Sequence, residues 1–152
     1  MKRLIPIVLI VCAGLLAACS SDIVYGRFVS IPSEEWHMDS VVRFDYSIVD
    51  TTTDYSIVVY VRHTERYPYQ NIWLFAGDSS HCDTIGCYLA DDRGRWLGDK
   101  QHGLLEMPVF IEEKVHFQDT GKYVMTIQHG MRDTVLRGVM DIGLEIKRYG
   151  QE

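Results

Sequence analysis

Alternation with a period of two dominates the chain beyond residue 40, the signature of strands that bury one face. Residues 41–49 place Val42, Phe44, Tyr46 and Ile48 on one side, and Val41, Arg43, Asp45 and Ser47 on the other. The turn-forming cluster Asp50-Thr51-Thr52-Thr53-Asp54 ends that strand. Residues 55–62 then set Tyr55, Ile57, Val59 and Val61 against Ser56, Val58, Tyr60 and Arg62. The stretch 70–76 is apolar or aromatic at both parities and predicts a strand covered on both sides. Residues 84–90 continue the pattern, and Asp91-Asp92-Arg93-Gly94 predicts a hairpin turn before Arg95-Trp96-Leu97-Gly98. Lys100-Gln101-His102-Gly103 reads as a loop. Residues 106–117 hold two short strands or one bent one, with Pro108 favouring a sheet edge. Residues 122–128 turn Tyr123, Met125 and Ile127 inward. Residues 139–147 turn Met140, Ile142, Leu144 and Ile146 inward, with Asp141, Glu145 and Lys147 outward. No segment carries a helical period, and no repeat is present.

About eight strands in some 130 residues, with turn signals between them, predict an all-β fold. The expected form is an antiparallel β-sandwich, immunoglobulin-like or jelly-roll-like. Asp119-x-Gly121-x-Tyr123 sharpens this. It has the form of a tyrosine corner, in which a tyrosine early in a strand bonds back across the arch between two sheets. A plain turn before a core tyrosine is the simpler alternative.

The N-terminus follows a different logic. Met1-Lys2-Arg3 is basic, and an apolar run extends from Leu4 to Ala18. A helix of that length spans roughly 22 Å, short of the roughly 30 Å hydrocarbon core, so an export signal fits better than a membrane span. Leu16-Ala17-Ala18-Cys19 resembles the lipobox of bacterial lipoproteins. The expected organisation is a signal peptide over 1–18, a lipidated N-terminus and short tether over 19–24, and one β-sandwich domain over 25–152. Cys19 would receive the diacylglyceryl group and palmitate-type acyl chains, and membrane lipid becomes its partner. At about 0.8 kcal/mol per buried CH₂, two or three chains hold a protein on a bilayer almost permanently. Ser20, rather than Asp, follows the cysteine, which points to the outer membrane.

Removing residues 1–18 leaves 13 basic residues against 21 acidic ones, a net charge of −8. There is no Lys/Arg cluster, so nucleic-acid binding has no electrostatic support. Cys82 and Cys87 remain after Cys19 is acylated. In one extended strand their Cα atoms would stand roughly 16 Å apart, whereas a bridge needs less than about 7 Å. A Cys82–Cys87 disulfide therefore requires a turn in Asp83-Thr84-Ile85-Gly86; otherwise both thiols are free. His81 beside Cys82 lacks the spacing of a zinc site.

No nucleophile elbow, metalloprotease helix or phosphate loop occurs, and the six histidines are scattered. The acidic pairs Glu34-Glu35, Asp91-Asp92 and Glu112-Glu113 read as solvated loops. The expectation is a protein that is not an enzyme, with no catalytic residue, no metal, no cofactor and no small-molecule substrate. The aromatic residues give the positive clue. Trp36, Tyr67, Tyr69, Trp73 and Trp96 fall in or near loops and strand ends, where they pack the core, stack on sugars or anchor a partner. Gln128-His129-Gly130-Met131-Arg132-Asp133 mixes a glycine with a charged pair, either an internal salt bridge or a contact point.

Several strings together resemble one family. They are Tyr67-Pro68-Tyr69-x-Asn71-x-Trp73-Leu74-Phe75, Asp83-Thr84 leading into Cys87-Tyr88-Leu89-Ala90-Asp91, and Gly94-Arg95-Trp96-Leu97-Gly98. Gly121-x-Tyr123, Gln128-His129-Gly130-Met131-Arg132 and Asp141-Ile142-Gly143-Leu144 follow in order. This is similar to the GldH type of gliding-motility lipoprotein of the Bacteroidetes, from about residue 25 to residue 148 together with the lipobox. The resemblance implies a membrane-anchored, non-catalytic scaffold or interaction component. It would work with other gliding or type IX secretion lipoproteins, or in envelope assembly where the host does not glide. The resemblance carries no catalytic residues. Its pattern includes Cys87 but not Cys82, which argues against their pairing. The partner-binding residues expected on this reading are Tyr67, Tyr69, Arg93, Trp96, His129, Met131, Arg132 and Asp133. The competing reading is a carbohydrate- or envelope-binding sandwich lipoprotein.

Overall fold

The computed structural model describes residues 22–150. The signal peptide, the lipobox and Cys19 lie outside the described residues. Eleven strands follow one another: β1 Ile23–Ser30, β2 Glu35–His37, β3 Val42–Ile48, β4 Tyr55–His63, β5 Asn71–Gly77, β6 Cys82–Tyr88, β7 Asp99–Gln101, β8 Leu104–Val115, β9 Gly121–His129, β10 Val135–Arg137 and β11 Val139–Arg148. A five-stranded sheet in the order β1-β11-β4-β8-β7 packs on a four-stranded sheet in the order β3-β9-β5-β6. A two-stranded sheet pairs β2 with β10. All pairings are antiparallel, and the fold is a β-sandwich. Among the described residues no helix is long and apolar enough to cross a membrane.

The alternation seen in the sequence sets the layers. Val42, Phe44, Tyr46 and Ile48 are all buried, as are Tyr55, Ile57, Val59 and Val61 on the facing sheet. Each such side chain removed from water contributes roughly 1.5–3 kcal/mol. Aromatic residues seal both open ends of the sandwich. At one end Tyr46 stacks on Tyr123 at 5.8 Å, and Phe117 meets Tyr123 edge-on at 4.8 Å. There Tyr123 Oη donates to the Asp119 carbonyl at 2.7 Å, so the tyrosine corner forms. At the other end Trp36 lies fully buried against His129, 5.3 Å between ring centres, with Nε1 donating to the Ser40 carbonyl.

Several expectations need correction. The sequence shows apolar residues at both parities of 70–76, yet β5 is covered on one side only. Ile72, Leu74 and Ala76 are buried while Trp73 and Phe75 are exposed. Met140 is not inward: a bulge between Val139 and Asp141 shifts the register, so Val139 takes the buried place. Ile23 and Val24, expected in the tether, already belong to β1. Of the two forms expected for 106–117 the single strand is found, but it is β8, Leu104–Val115, with its register irregular opposite Tyr55–Val58 and with residues 116 and 117 outside it. Lys100 and Gln101 are in β7 rather than a loop. His102 and Gly103, both at positive φ, close a two-residue hairpin onto β8.

Cys82 and Cys87 begin and nearly end one strand, and both are free. No turn interrupts 83–86, because this segment pairs residue by residue with β5 from Gly77↔Cys82 to Asn71↔Tyr88. The two thiols are an odd number of residues apart and so face opposite sides of the sheet. The disulfide is thereby excluded.

The register also fixes which loops share an end. Ile23 pairs with Lys147, and Arg148 with Tyr55. Ser30 pairs with Asp141, and Val139 with His63. The chain therefore enters the fold at the Tyr55 end, and the connections after His63 and His129 lie at the opposite end. Nine residues of β4 separate the two, roughly 26 Å.

Candidate binding site

Three separate stretches converge at that far end. The first is the connection Thr64–Gln70. Tyr67 enters the core, with its hydroxyl donating to the Asn71 carbonyl at 2.9 Å and its ring 5.5 Å from His63. Burial pushes the Tyr67 hydroxyl well above the usual phenol range. Tyr69 points outward, and the Asp133 carboxylate beside it raises its hydroxyl.

The second stretch is the hairpin Asp91–Arg95. The Asp91 carboxylate accepts from the backbone N–H groups of Arg93 and Arg95, both at 2.9 Å, and from Arg95 Nε at 2.8 Å. Asp91 N–H in turn donates to the Arg95 carbonyl. These bonds hold the Asp91 carboxyl below its ordinary range and leave Arg93 exposed at the tip of a fixed turn. Trp96 is half-buried, 4.8 Å edge-on from His63.

The third stretch follows β9. Gly130 N–H donates to the Trp73 carbonyl at 2.7 Å, and Trp73 N–H donates to Met131 Sδ at 3.3 Å. These bonds bring the Met131–Asp133 turn over the start of β5. Arg132 and Asp133 form no salt bridge with each other. Arg132 is exposed, with no ion pair or side-chain hydrogen bond among the described residues.

The result is an open cleft of about 560 Å³ lined by Tyr69, Asn71, Trp73, Thr84, Gly130, Met131, Arg132 and Asp133. Trp73 forms its floor and is 45% exposed. Two glycines give it room. A Cβ on Gly86 would stand 2.8 Å from the Trp73 six-membered ring, and one on Gly130 would stand 3.0 Å from the Phe75 ring. A second concavity of about 400 Å³ lies next to it between Tyr69, Gln70, Asp91, Asp92 and Trp96, and Tyr69 borders both.

Of the residues expected to meet a partner, Tyr69, Arg93, Trp96, Met131, Arg132 and Asp133 are brought together at this end. Tyr67 and His129 are corrected: at 3% and 2% exposure they belong to the core. Their rings brace the loops from beneath, and Tyr67 reaches the surface only at the wall of the second concavity. Trp36, an aromatic clue in the sequence, is likewise interior. Sequence reasoning left Asn71, Thr84 and Gly86 out of the site. The available signal was register: the outward parity of β5 places Trp73 opposite Gly86 and Phe75 opposite Thr84.

The opposite face of the molecule is different. On the five-stranded sheet Arg62 lies 3.6 Å above the Phe28 ring and pairs with Glu106, while Ser30 bonds Asp141 and Tyr60 bonds Glu145. These polar groups are engaged with one another.

The sequence profile of the GldH lipoprotein family matches residues 23–146. A gliding motility lipoprotein GldH homolog of Christiangramia forsetii is 30% identical over 146 residues, 88% of this chain and 89% of that protein. The gliding motility lipoprotein GldH of Flavobacterium johnsoniae is 29% identical over 153 residues, 93% of this chain and 94% of that protein. Among solved structures, a chain from infectious bursal disease virus Gx strain aligns with 88% of this chain and 35% of its own, at 15% identity and a TM-score of 0.32, too low to carry weight. With a profile match that takes in every strand from β1 to β10 and most of β11, the chain belongs to the GldH lipoprotein family.

Proposed function

We propose that this protein is a lipid-anchored, non-catalytic scaffold of the gliding-motility and type IX secretion machinery. In this reading Cys19 is acylated and fixes the domain to the outer membrane, and the far end of the sandwich meets partner lipoproteins. The observation that carries it is polarity. The chain leaves Ile23 toward Cys19 at one end, and the exposed loops gather at the other, roughly 26 Å away. A domain tethered at one end presents the other to its surroundings, and tethering raises the local concentration of neighbours.

The hairpin Asp91–Arg95 suits this role. Its backbone is fixed by Asp91 before any partner arrives, so little ordering entropy remains to be lost on binding. Arg93 at its tip and Trp96 at its base supply a charge and a ring of the types that dominate protein contacts.

The test is affinity recovery from crosslinked membranes, using the full chain with a C-terminal tag. Other gliding or type IX secretion components should come down with the acylated form, and their yield should drop for Cys19→Ala and for Arg93→Ala. Recovery of none of them from the acylated form would overturn the scaffold reading.

A further inference from the structure

We propose that the cleft over Trp73 is a saccharide site and that its ligand is a neutral hexopyranose chain. The inference rests on reading the far end as a binding surface, and it names what the cleft there takes up.

The floor comes first. Trp73 is an exposed ring carried on a strand, in the space that glycine leaves at position 86. The face of an indole is electron-rich, and the C–H-bearing face of a pyranose is weakly positive, so the two stack. Hydrogen-bonding groups then surround the floor. The Asn71 amide and the Thr84 hydroxyl each donate and accept, Arg132 donates only, and Asp133 accepts only. Arg132 has no partner among the described residues, and it stands next in sequence to a carboxylate. A donor and an acceptor side by side match the neighbouring hydroxyls of a sugar. An apolar platform with a few convergent polar groups is the general form of a small-ligand site, and about 560 Å³ falls in the usual range.

Two features select the ligand class. A peptide would seek backbone partners, yet the Trp73 N–H and carbonyl are already bonded to Met131 and Gly130, so the cleft floor offers no ladder. A polyanionic glycan would approach a chain that, without residues 1–18, has 13 basic and 21 acidic residues, and would pass Asp133, Asp91 and Asp92 along the cleft and its neighbour. A neutral chain meets neither obstacle. The adjoining concavity past Tyr69 gives its next residue a place to lie.

The experiment uses the acylated full-length protein in a detergent without a sugar headgroup. It is titrated with maltohexaose, cellohexaose, laminarihexaose and mannohexaose, and with oligogalacturonate as the acidic comparison, by calorimetry and tryptophan emission. At least one neutral oligosaccharide should bind saturably. Trp73→Ala and Gly86→Val should each weaken it at least tenfold, and Phe110→Ala, at an exposed ring on the five-stranded sheet, should leave it unchanged. Arg132→Ala, whose side chain supports nothing else, should weaken it severalfold with the thermal midpoint retained. No saturable binding by any neutral member, binding confined to oligogalacturonate, or binding undiminished in the Trp73 and Arg132 variants would overturn the saccharide site. Recovery of protein partners is measured separately, so either reading can fail while the other stands.

Discussion

Single side chains at the two ends of the sandwich do much of the closing, and their chemistry is testable. Tyr123→Phe removes the hydroxyl that bonds Asp119 and leaves the stacked ring in place. It should lower unfolding free energy by about 1 kcal/mol in a urea titration. His63 and His129 are buried at the far end, each with one ring nitrogen unpartnered, His63 Nε2 and His129 Nδ1. Burial holds the pKa of both below the ordinary 6.5. A lowered pKa means the unfolded chain takes up protons first on acidification, so these residues favour folding above pH 6.5 and lose that contribution below it. The thermal midpoint should be flat from pH 8 to 7 and should fall once pH drops below 6.5. The exposed carboxylates held low by their partners, such as Asp50 and Asp91, act only below about pH 4. A midpoint that stays level from pH 7 to 5 would contradict this account of the buried imidazoles. The corner tyrosine was legible in the sequence because its motif is local. The burial of Tyr67, His129 and Trp36 was not, since aromatic residues at strand ends look alike whether they point inward or outward. Only the paired strand β2–β10 decides it for Trp36.

The alternating strands β3, β4 and β9 were readable because one buried face imposes the period, although Val58, at the other parity of β4, is buried as well. Three kinds of element escaped. β1, β2, β7 and β10 are short, exposed or both, so their sequence carries little apolar signal. The bulge in β11 swaps Val139 for Met140, and nothing local in the sequence marks it. The outer side of β5 looked buried because aromatic residues there serve a surface. The extended course of β6 has a direct consequence for its thiols. Reductant should leave the denaturation midpoint unchanged, and thiol titration of the unreduced, acylated protein should count two free groups. Gly138 marks the junction between β10 and β11. At φ +86° its Cβ position is 2.5 Å from the Tyr67 backbone nitrogen, and its carbonyl accepts from Thr64. Backbone cannot step aside as a side chain can, so Gly138→Ala should destabilise by about 2 kcal/mol or more, read as a lowered thermal midpoint.

Both sheets share one core, with Phe44, Ile48, Val59, Leu74, Ile142 and Leu144 in a single cluster. The domain should therefore unfold in one transition, with far-ultraviolet dichroism and the emission of buried Trp36 tracing the same curve. Two separated transitions would mean the small β2–β10 sheet melts on its own. At this scale the sequence foretold a sandwich and a lipid anchor but not which loops would meet, because that depends on the register of β1, β11 and β4. The same register has a practical side. Ile23 and Lys147 are neighbours, so under the anchoring proposed at Cys19 a reporter fused at the C-terminus would start beside the membrane and leave the outer loops unencumbered. A probe meant to sense the outer end belongs in the His102–Gly103 turn, whose flanking residues pair as Gln101↔Leu104 at that end. A fluorophore at each position in turn, with an acceptor in the lipid, would make the domain a ruler standing on the bilayer, and the difference between the two distances to the lipid would report whether it lies flat or upright.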